Sequence, residues 1–170
     1  FKRGEVGNPL GTELVGLKLG IIGLGASGIE LARRALPFGM RIAAIDIRDV
    51  PDEEVEEFQL EFVGKPADLD KVVADSDILS LHLHVNEETK HLMDARRLAL
   101  MKPTALLVNI ARGALVDEEA LAQALVEGRI GGAGLDVFAG DTLEGHDWNA
   151  PVYSLPNVVT TPHVAGATDG

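Results

Sequence analysis

Short apolar runs separated by helical patterns recur along the chain and predict a layered sheet. Seven runs predict buried strands, at 19–22, 42–45, 60–63, 77–83, 104–110, 130–137 and 157–161. Between them, amphipathic segments predict helices that begin near residue 26 and that cover 68–75, 94–101 and 117–127. Strands that alternate with helices are typical of α/β proteins with parallel strands. We therefore predict a doubly wound parallel sheet of about six to seven strands with helices on both faces.

The stretch from Leu19 to Asp46 has the order strand, glycine turn, helix, strand, acid. Its turn is G-x-G-x-x-G, with glycines at 23, 25 and 28. In such a turn Gly23 permits the tight bend, Gly25 lets a pyrophosphate approach the backbone, and Gly28 lets the helix pack closely on the strand. A bare G-x-G-x-x-G also fits a simple turn. The flanking elements favour a Rossmann-type dinucleotide-binding unit whose helix N-terminus faces the phosphates.

Asp46 stands where such units place the carboxylate that binds the adenosine ribose. It lies 18 residues beyond Gly28, close to the usual spacing of about 20. A carboxylate here would repel a 2′-phosphate, so the sequence favours NAD over NADP as the cofactor. Arg48, two residues further on, argues in the opposite direction.

Composition and charge restrict the possible partners. The 170 residues carry a net charge of −12, which makes nucleic acid or an anionic membrane surface an unsuitable partner. The acidic segment 49–61 is most simply a solvated helix face. The chain has no cysteine, which excludes disulfides and thiol catalysis and fits a cytoplasmic protein. Residues 1–17 are rich in glycine and predict a connecting segment, followed by a dinucleotide-binding domain over 18–168.

Three polar residues follow the ends of later strands, where ligands bind in parallel α/β sheets. Arg112 could hold a carboxylate and polarise a carbonyl, or could pair with a helix carboxylate such as Asp117. Asp136 could orient the nicotinamide carboxamide, or form a turn. His163 could act as a general acid–base, or be an ordinary loop residue.

The other histidines give weaker signals. His82 and His84 alternate on the fourth strand, where they could lie near the adenosine or satisfy backbone groups. The H-x-H spacing suggests a metal, but no convincing third ligand follows, and we predict no metal site.

Taken together, these motifs resemble the D-isomer-specific 2-hydroxyacid dehydrogenase family. The resemblance covers nearly everything from Gly11 onward, in the family's order. It rests on six stretches: G-L-G-A-S-G at 23–28, D-I-L-S-L-H-L at 77–83, L-M-K-P-T-A-L-L-V-N-I-A-R-G at 100–113, L-V-D-E-E-A-L at 115–121, G-G-A-G-L-D-V-F at 131–138 and L-P-N-V-V-T-T-P-H-V-A-G-A-T at 155–168.

The resemblance implies NAD-dependent hydride transfer between a nicotinamide and a 2-hydroxy or 2-oxo acid. It implies that His163 is the acid–base and that Arg112 binds and polarises the substrate. It also assigns a set of cofactor-binding positions, namely Gly23, Gly25, Ala26, Ser27, Gly28, Asp46, Leu83, His84, Ile110, Ala111, Arg112, Asp136, His163 and Gly166.

The chain departs from the family's pattern at the acid that pairs with the histidine. The family has a glutamate followed by proline three residues after D-V-F, whereas this chain has Asp141 followed by Thr142. Counting back from Pro151 would instead select Glu144. We favour Asp141 as the third catalytic residue, because the strand fixes the starting point of the count and insertions fall more easily later in the loop.

A second departure concerns the extent of the chain. In the family, this domain is inserted into a substrate domain, which we expect to be absent from residues 1–170. The isolated domain would then bind NAD with little turnover, and it would form a homodimer as relatives do. A dehydrogenase-like NAD-sensing corepressor module is the alternative, since the same fold and residues can serve partner binding.

Overall fold

In the part of the chain that the structure describes, the sheet has seven strands, all parallel, in the order β3-β2-β1-β4-β5-β6-β7. The computed structural model describes residues 11–139 and 150–167. The strands are β1 (Lys18–Ile22), β2 (Arg41–Ile45), β3 (Leu60–Gly64), β4 (Ile78–Leu81), β5 (Leu106–Asn109), β6 (Gly132–Leu135) and β7 (Val158–Thr160). The predicted doubly wound parallel sheet is therefore confirmed.

The predicted strands agree with the observed ones to within about two residues at each end. The largest differences are at β4, β5 and β6, predicted over 77–83, 104–110 and 130–137 and observed over shorter spans. The apolar run in each case continues beyond the hydrogen-bonded ladder, because hydrophobicity reports burial and not backbone pairing.

Five α-helices connect the strands within residues 11–139 and 150–167. They are α1 (Ala26–Ala35), α2 (Asp52–Glu57), α3 (Leu69–Asp75), α4 (Ala95–Leu98) and α5 (Glu118–Val126). Helix α4 is shorter than the predicted 94–101, because the bonds from Leu100 N to Arg97 O and from Met101 N to Leu98 O tighten its end into a 3₁₀-like turn. Helix α5 begins after Asp117, whose carboxylate accepts a hydrogen bond from Ala120 N at 3.0 Å.

Two separate hydrophobic cores cover the two faces of the sheet. Leu19 and Ile21 of β1 pack on one side with Ala32 and Ala35 of α1. Ile22, which points the other way, belongs to the second core, to which α3, α4 and α5 contribute. Both faces of a parallel sheet must be buried in this way, which is why its strands are almost continuously apolar. The helices thus lie on both faces, as predicted.

The parallel arrangement places the carboxyl ends of all seven strands at one edge of the sheet. From β1 the chain adds β2 and β3 on one side, and it then crosses over to add β4 to β7 on the other side. The switch point lies between β1 and β4, which are hydrogen-bonded neighbours. In open α/β sheets a ligand binds in the crevice above such a switch point. None of the helices among residues 11–139 and 150–167 is long and apolar enough to cross a membrane.

Candidate cofactor and active site

The glycine turn after β1 is packed so tightly that only glycine fits at two of its positions. Gly23 has φ +96°, and a Cβ there would lie 2.8 Å from the His82 carbonyl oxygen. A Cβ on Gly28 would lie 2.2 Å from the Gly23 carbonyl oxygen. A Cβ on Gly25, in contrast, would meet nothing within 4 Å. The open space in front of Gly25 fits the close approach of a pyrophosphate.

The N-terminus of α1 presents free backbone donors beside that space. The residue before the helix is Gly25, and no side chain of the described residues caps the helix. The first intrahelical bond runs from Ile29 N to Gly25 O, so the N–H groups of Ala26, Ser27 and Gly28 have no intrahelical acceptor. These donors and the helix dipole form a site that suits an anion. The residues present therefore fit the phosphates of a dinucleotide.

Asp46, at the end of β2, is bonded to the backbone on both sides. Its Oδ2 accepts a hydrogen bond from Leu24 N at 2.6 Å, and its Oδ1 accepts one from Arg48 N at 2.9 Å. Each oxygen keeps a second lone pair for another donor. The carboxylate is thus fixed against the glycine turn, while its role towards a ribose stays a prediction.

The Arg48 guanidinium makes its hydrogen bonds to groups other than Asp46. Its Nη2 donates to Leu24 O at 2.7 Å and to Glu54 Oε2 at 2.6 Å, whereas its Nε lies 4.0 Å from Asp46 Oδ2. The interpretation of segment 49–61 as a solvated face is therefore wrong for Glu54, which is half-buried and bonds Arg48. The guanidinium joins α2 to the glycine turn.

The residues after β4 lie against the glycine turn. His82 is half-buried, and its ring nitrogens lie 2.9 Å from Ser27 Oγ and 3.0 Å from Ser80 Oγ. Burial lowers the pKa of His82 to about 4. Because the ring bonds two hydroxyls, the suggestion that this histidine satisfies backbone groups is wrong. Leu83 Cδ2 lies 2.9 Å from the position of a Cβ on Gly23, and the side chain of His84 is exposed.

The loop after β5 is held by Asn109, which is 1 % exposed. Asn109 Nδ2 donates to Arg112 O at 2.8 Å, and Asn109 Oδ1 accepts from Ala111 N at 3.1 Å. Ile110 and Ala111 are half-buried within this loop, and Arg112 is exposed. One buried amide therefore fixes the backbone that carries the predicted substrate arginine.

The Arg112 side chain remains available for a ligand. Its Nη1 donates to Ala111 O at 2.6 Å, and among the described residues it forms no ion pair. Asp117, the alternative partner, caps α5 instead. The structure therefore does not adopt the ion pair with Asp117, and the role of Arg112 in binding substrate stays a prediction.

Asp136, 3 % exposed at the end of β6, organises the segment that follows β7. Its Oδ1 accepts bonds from Thr161 Oγ1 and, at 2.9 Å, from Val164 N, and its Oδ2 accepts one from Ala165 N at 2.9 Å. Burial alone would raise the pKa of Asp136, but these hydrogen bonds and the nearby His163 outweigh it and lower that pKa. Asp136 thus forms the turn that was the alternative to orienting the carboxamide, and its contact with a nicotinamide stays a prediction.

His163 lies within the turn that Asp136 holds. Its backbone is in the left-handed region with φ 56°, its N–H donates to Thr161 O at 3.0 Å, and its side chain is exposed. Gly166 is also exposed, and a Cβ on it would meet nothing within 4 Å. Asp141 and Glu144, the candidate partners of His163, lie outside the described residues.

Backbone contacts bring the Arg112 loop and the His163 turn to one place. Asp136 N donates to Asn109 O at 3.0 Å, so the two buried residues that hold these segments are directly bonded. A Cβ on Gly113 would lie 1.8 Å from the Phe138 carbonyl oxygen. The loop after β5 therefore packs directly against the segment after β6.

Sequence reasoning missed three residues that shape the site. Asn109, Ser80 and Glu54 had been given no role, although each bonds a predicted site residue or its neighbour. A buried strand-end amide directly before a short glycine-containing loop is a signal that could have identified Asn109. The partners of Ser80 and Glu54 depend on tertiary contacts that no local pattern encodes. Among the described residues, no group of three or more His, Cys, Asp or Glu could hold a metal ion.

Comparison with known proteins agrees with this geometry. Residues 1–165 match the family described as "D-isomer specific 2-hydroxyacid dehydrogenase, NAD binding domain". A glyoxylate reductase from Thermococcus gammatolerans is 47 % identical over 161 residues, covering 95 % of this chain and 46 % of that protein. This chain spans about half the length of the curated relatives that it matches.

Solved structures show the same fold. A D-lactate dehydrogenase with NAD⁺ from Lactobacillus jensenii superposes with a TM-score of 0.83 at 32 % identity, over 98 % of this chain and 52 % of that one. An acyclic imino acid reductase (Bsp5) in complex with NADPH and D-Arg gives a TM-score of 0.81 at 32 % identity, over 98 % and 50 % of the two chains. The chain belongs to the D-isomer specific 2-hydroxyacid dehydrogenase family, whose NAD binding domain it matches.

Proposed function

We propose that this chain is the cofactor-binding part of an NAD-dependent 2-hydroxyacid dehydrogenase. One observation carries the proposal: Arg112 and His163 lie on segments joined by the bond from Asp136 N to Asn109 O, at the same sheet edge as the glycine turn. An exposed cation and an exposed imidazole beside a dinucleotide site are the groups that carbonyl reduction requires.

The glycine turn and the N-terminus of α1 would hold the pyrophosphate, with the open face of Gly25 allowing close contact. Asp46 would accept hydrogen bonds from the adenosine ribose. Leu83, His84, Ile110 and Ala111 would border the cofactor. When bound, the nicotinamide supplies or accepts the hydride.

The exposed side chains supply the remaining steps. Arg112 would bind the carboxylate of a 2-oxo acid and polarise its carbonyl through the same guanidinium. His163 would donate a proton to the carbonyl oxygen during reduction and remove it from the hydroxyl during oxidation. The proposed partner of His163, Asp141, would hold the ring in the required tautomer.

We propose a small 2-hydroxy or 2-oxo acid as substrate. Support comes from the names of relatives, which include glyoxylate reductases and a hydroxypyruvate reductase from Thermotoga maritima. The proposed domain division, with a connecting segment at 1–17 and the cofactor domain at 18–168, leaves the rest of the substrate pocket to a separate domain.

For the cofactor we propose a preference for NAD over NADP. Asp46 places a negative charge near the expected ribose position, and Arg48 is engaged by Glu54 and Leu24. These bonds occupy guanidinium donors of Arg48 that a 2′-phosphate would need. The imino acid reductase noted above binds NADPH on the same fold, so the preference has to be measured.

We propose that the protein is a cytoplasmic homodimer that binds neither nucleic acid nor membranes. The net charge of −12 and the lack of cysteine support the location and the excluded partners. Exposed apolar side chains, of which Val15 is 71 % and Phe38 57 % exposed, support an interface between copies.

A calorimetric titration of the chain with NADH and with NADPH tests the cofactor site. Gly25→Val should abolish binding without unfolding, because the added side chain fills only the space meant for pyrophosphate and φ −80° suits any residue. Gly11→Val is the matched control, since Gly11 also has open space but is not part of the glycine turn. If Gly25→Val binds NADH as the unmodified chain does, the proposed phosphate site is wrong.

Turnover of 2-oxo acids by the full-length protein tests the reaction and separates it from the corepressor alternative, for which the relatives named above give no support. Consumption of NADH with glyoxylate or hydroxypyruvate, abolished by His163→Gln or Arg112→Gln, is expected. NADH binding without any turnover over a panel of 2-oxo acids would contradict the enzyme.

A further inference from the structure

A chain of three hydrogen-bonded side chains runs from inside the sheet to the surface of the glycine turn. Ser80 of β4 is 3 % exposed, and its Oγ lies 3.0 Å from His82 Nε2. His82 Nδ1 lies 2.9 Å from Ser27 Oγ, and Ser27 is exposed in the first turn of α1. The chain links a buried hydroxyl to the place where the cofactor's phosphates are expected.

The number of protons on the imidazole and on the two hydroxyls determines which group donates in each of these hydrogen bonds. A neutral imidazole has one N–H and one bare nitrogen, and a serine hydroxyl has one proton to donate. Burial holds the pKa of His82 near 4, so the ring is neutral around pH 7. Either Nδ1 or Nε2 therefore carries the single ring proton.

The buried hydroxyl of Ser80 distinguishes the two tautomers. Among the described residues, the His82 ring is the only acceptor within reach of Ser80 Oγ, and the surroundings include the apolar side chains of Leu19, Leu31 and Val108. A proton on Nε2 would make Ser80 an acceptor and leave its own proton unpaired inside the protein, which is costly. With Nε2 bare, Ser80 donates to the ring, and both the hydroxyl proton and Nε2 have a partner. The ring proton then resides on Nδ1.

The position of the ring proton determines whether the Ser27 hydroxyl at the protein surface can donate to a ligand. If Nδ1–H donates to Ser27 Oγ, that oxygen is an acceptor from the ring and its proton remains free to be donated outward. Among the described residues, no side chain caps the neighbouring N–H groups of α1. A hydroxyl that is fixed as a donor adds one hydrogen bond to an anionic phosphate, and such charge-assisted bonds are the strong ones.

We propose that the Ser80–His82–Ser27 chain fixes the Ser27 hydroxyl as a donor to the pyrophosphate of the cofactor. Ser27 is a binding residue, and His82 and Ser80 are positioning residues that act through it. The inference rests on the proposed cofactor site. Its first premise, the tautomer of His82, can be measured without any cofactor.

Nitrogen-15 NMR of the His82 ring tests that premise. The protein labelled in its histidines should show Nδ1 protonated and Nε2 bare at pH 7. Ser80→Ala removes the hydroxyl that selects this state, so the population with Nε2 protonated should rise. A ring protonated at Nε2 in the unmodified protein would overturn the proposal, because Ser27 would then donate its proton to the bare Nδ1 and not to a phosphate.

Calorimetric titration with NADH tests the second step. Ser27→Ala and His82→Leu should each weaken NADH binding by roughly tenfold, the factor that corresponds to about 1.4 kcal/mol. Because the two residues act on one hydrogen bond, the double variant should bind no more weakly than either single variant. Circular dichroism should show that each variant is folded, and adenosine, which has no phosphate, should bind all of them equally.

A matched control and the contrary outcomes complete the test. His91→Asn removes another histidine, exposed in the loop after β4, and should leave NADH binding unchanged. Full-strength binding by Ser27→Ala, or losses that add in the double variant, would overturn the proposal. If the unmodified protein bound no NADH, the cofactor site itself would fail, and the NMR result would still decide the direction of the hydrogen bonds.

Discussion

Replacing Asp136 with asparagine should destabilise the domain and loosen the turn that contains His163. The carboxylate accepts three hydrogen bonds, from Thr161 Oγ1, Val164 N and Ala165 N. Asp136 is buried, with 3 % of its surface exposed. In Asp136→Asn, Oδ1 can keep its two donors. The NH₂ group then replaces Oδ2 and turns a donor towards Ala165 N–H.

The size of the effect follows from these contacts. One charge-assisted bond is lost, worth about 1.5–3 kcal/mol, and the two bonds that remain lose the assistance of the charge. We expect the free energy of unfolding to fall by about 2–4 kcal/mol, a large share of the roughly 5–15 kcal/mol that stabilises a typical domain. For a chain of this size, that fall corresponds to a Tm lower by roughly 5–15 °C.

Urea denaturation followed by circular dichroism gives the assay, with Asp117→Asn as the matched control. Asp117 accepts one capping bond, from Ala120 N, and asparagine caps a helix as well as aspartate does. The control should therefore change stability by less than about 0.5 kcal/mol. Equal losses for the two variants would refute the view that Asp136 organises the turn.

The pH dependence of the stability difference between the unmodified protein and Asp136→Asn provides a second check. The pKa of Asp136 lies below its ordinary value of 3.8 in the folded protein. A lowered folded pKa means that the carboxylate stabilises the protein above the unfolded pKa and that this stability is lost as the pH falls through the folded pKa. The gap between the unmodified protein and Asp136→Asn should therefore narrow below about pH 4.

Three further predictions concern other parts of the site. Gly113→Ala should destabilise the domain by about 3 kcal/mol or more and weaken NADH binding, because its Cβ would lie 1.8 Å from the Phe138 carbonyl oxygen; thermal denaturation and calorimetry check this, and an unchanged Tm would contradict it. Glu54→Gln should release Arg48 and improve NADPH binding relative to NADH by about fivefold, since a partly exposed ion pair is worth roughly 1 kcal/mol; an unchanged ratio of the two Kd values would contradict it. As the pH falls from 6.5 to about 4, the free energy of unfolding should fall by up to about 3 kcal/mol, because His82 takes up a proton near pH 6.5 in the unfolded chain but only near pH 4 in the folded protein. Urea denaturation of His82→Leu provides the comparison, since this variant should lack the His82 contribution to the pH dependence.

The elements of the fold could be predicted from the sequence because burial on both faces of a parallel sheet gives each strand a short apolar run. The same logic predicts the place of the candidate site, because parallel strands place their following residues at one edge. Gly23, Asp46, Asp136 and His163 were found in this way, from their position after a strand.

The contacts that hold the site together could not be predicted in the same way. Ser27 and His82 are 55 residues apart in sequence, and their bond depends on how α1 packs over β4. Glu54 belongs to an acidic segment in which nothing in the pattern distinguishes it from its neighbours. Such bonds depend on tertiary geometry, whereas periodicity reports only which face of an element is buried.

The buried side chains of Asn109 and Asp136 hold their loops mainly through main-chain atoms. Asn109 bonds the backbone of Ala111 and Arg112, and Asp136 bonds the backbone of Val164 and Ala165. Main-chain donors and acceptors are present whatever the side chain, provided that proline is avoided at the donors. Positions 111, 164 and 165 can therefore be randomised in a library while the loop geometry is kept. The protein thus offers a scaffold in which the lining of the crevice can be redesigned separately from the framework that supports it.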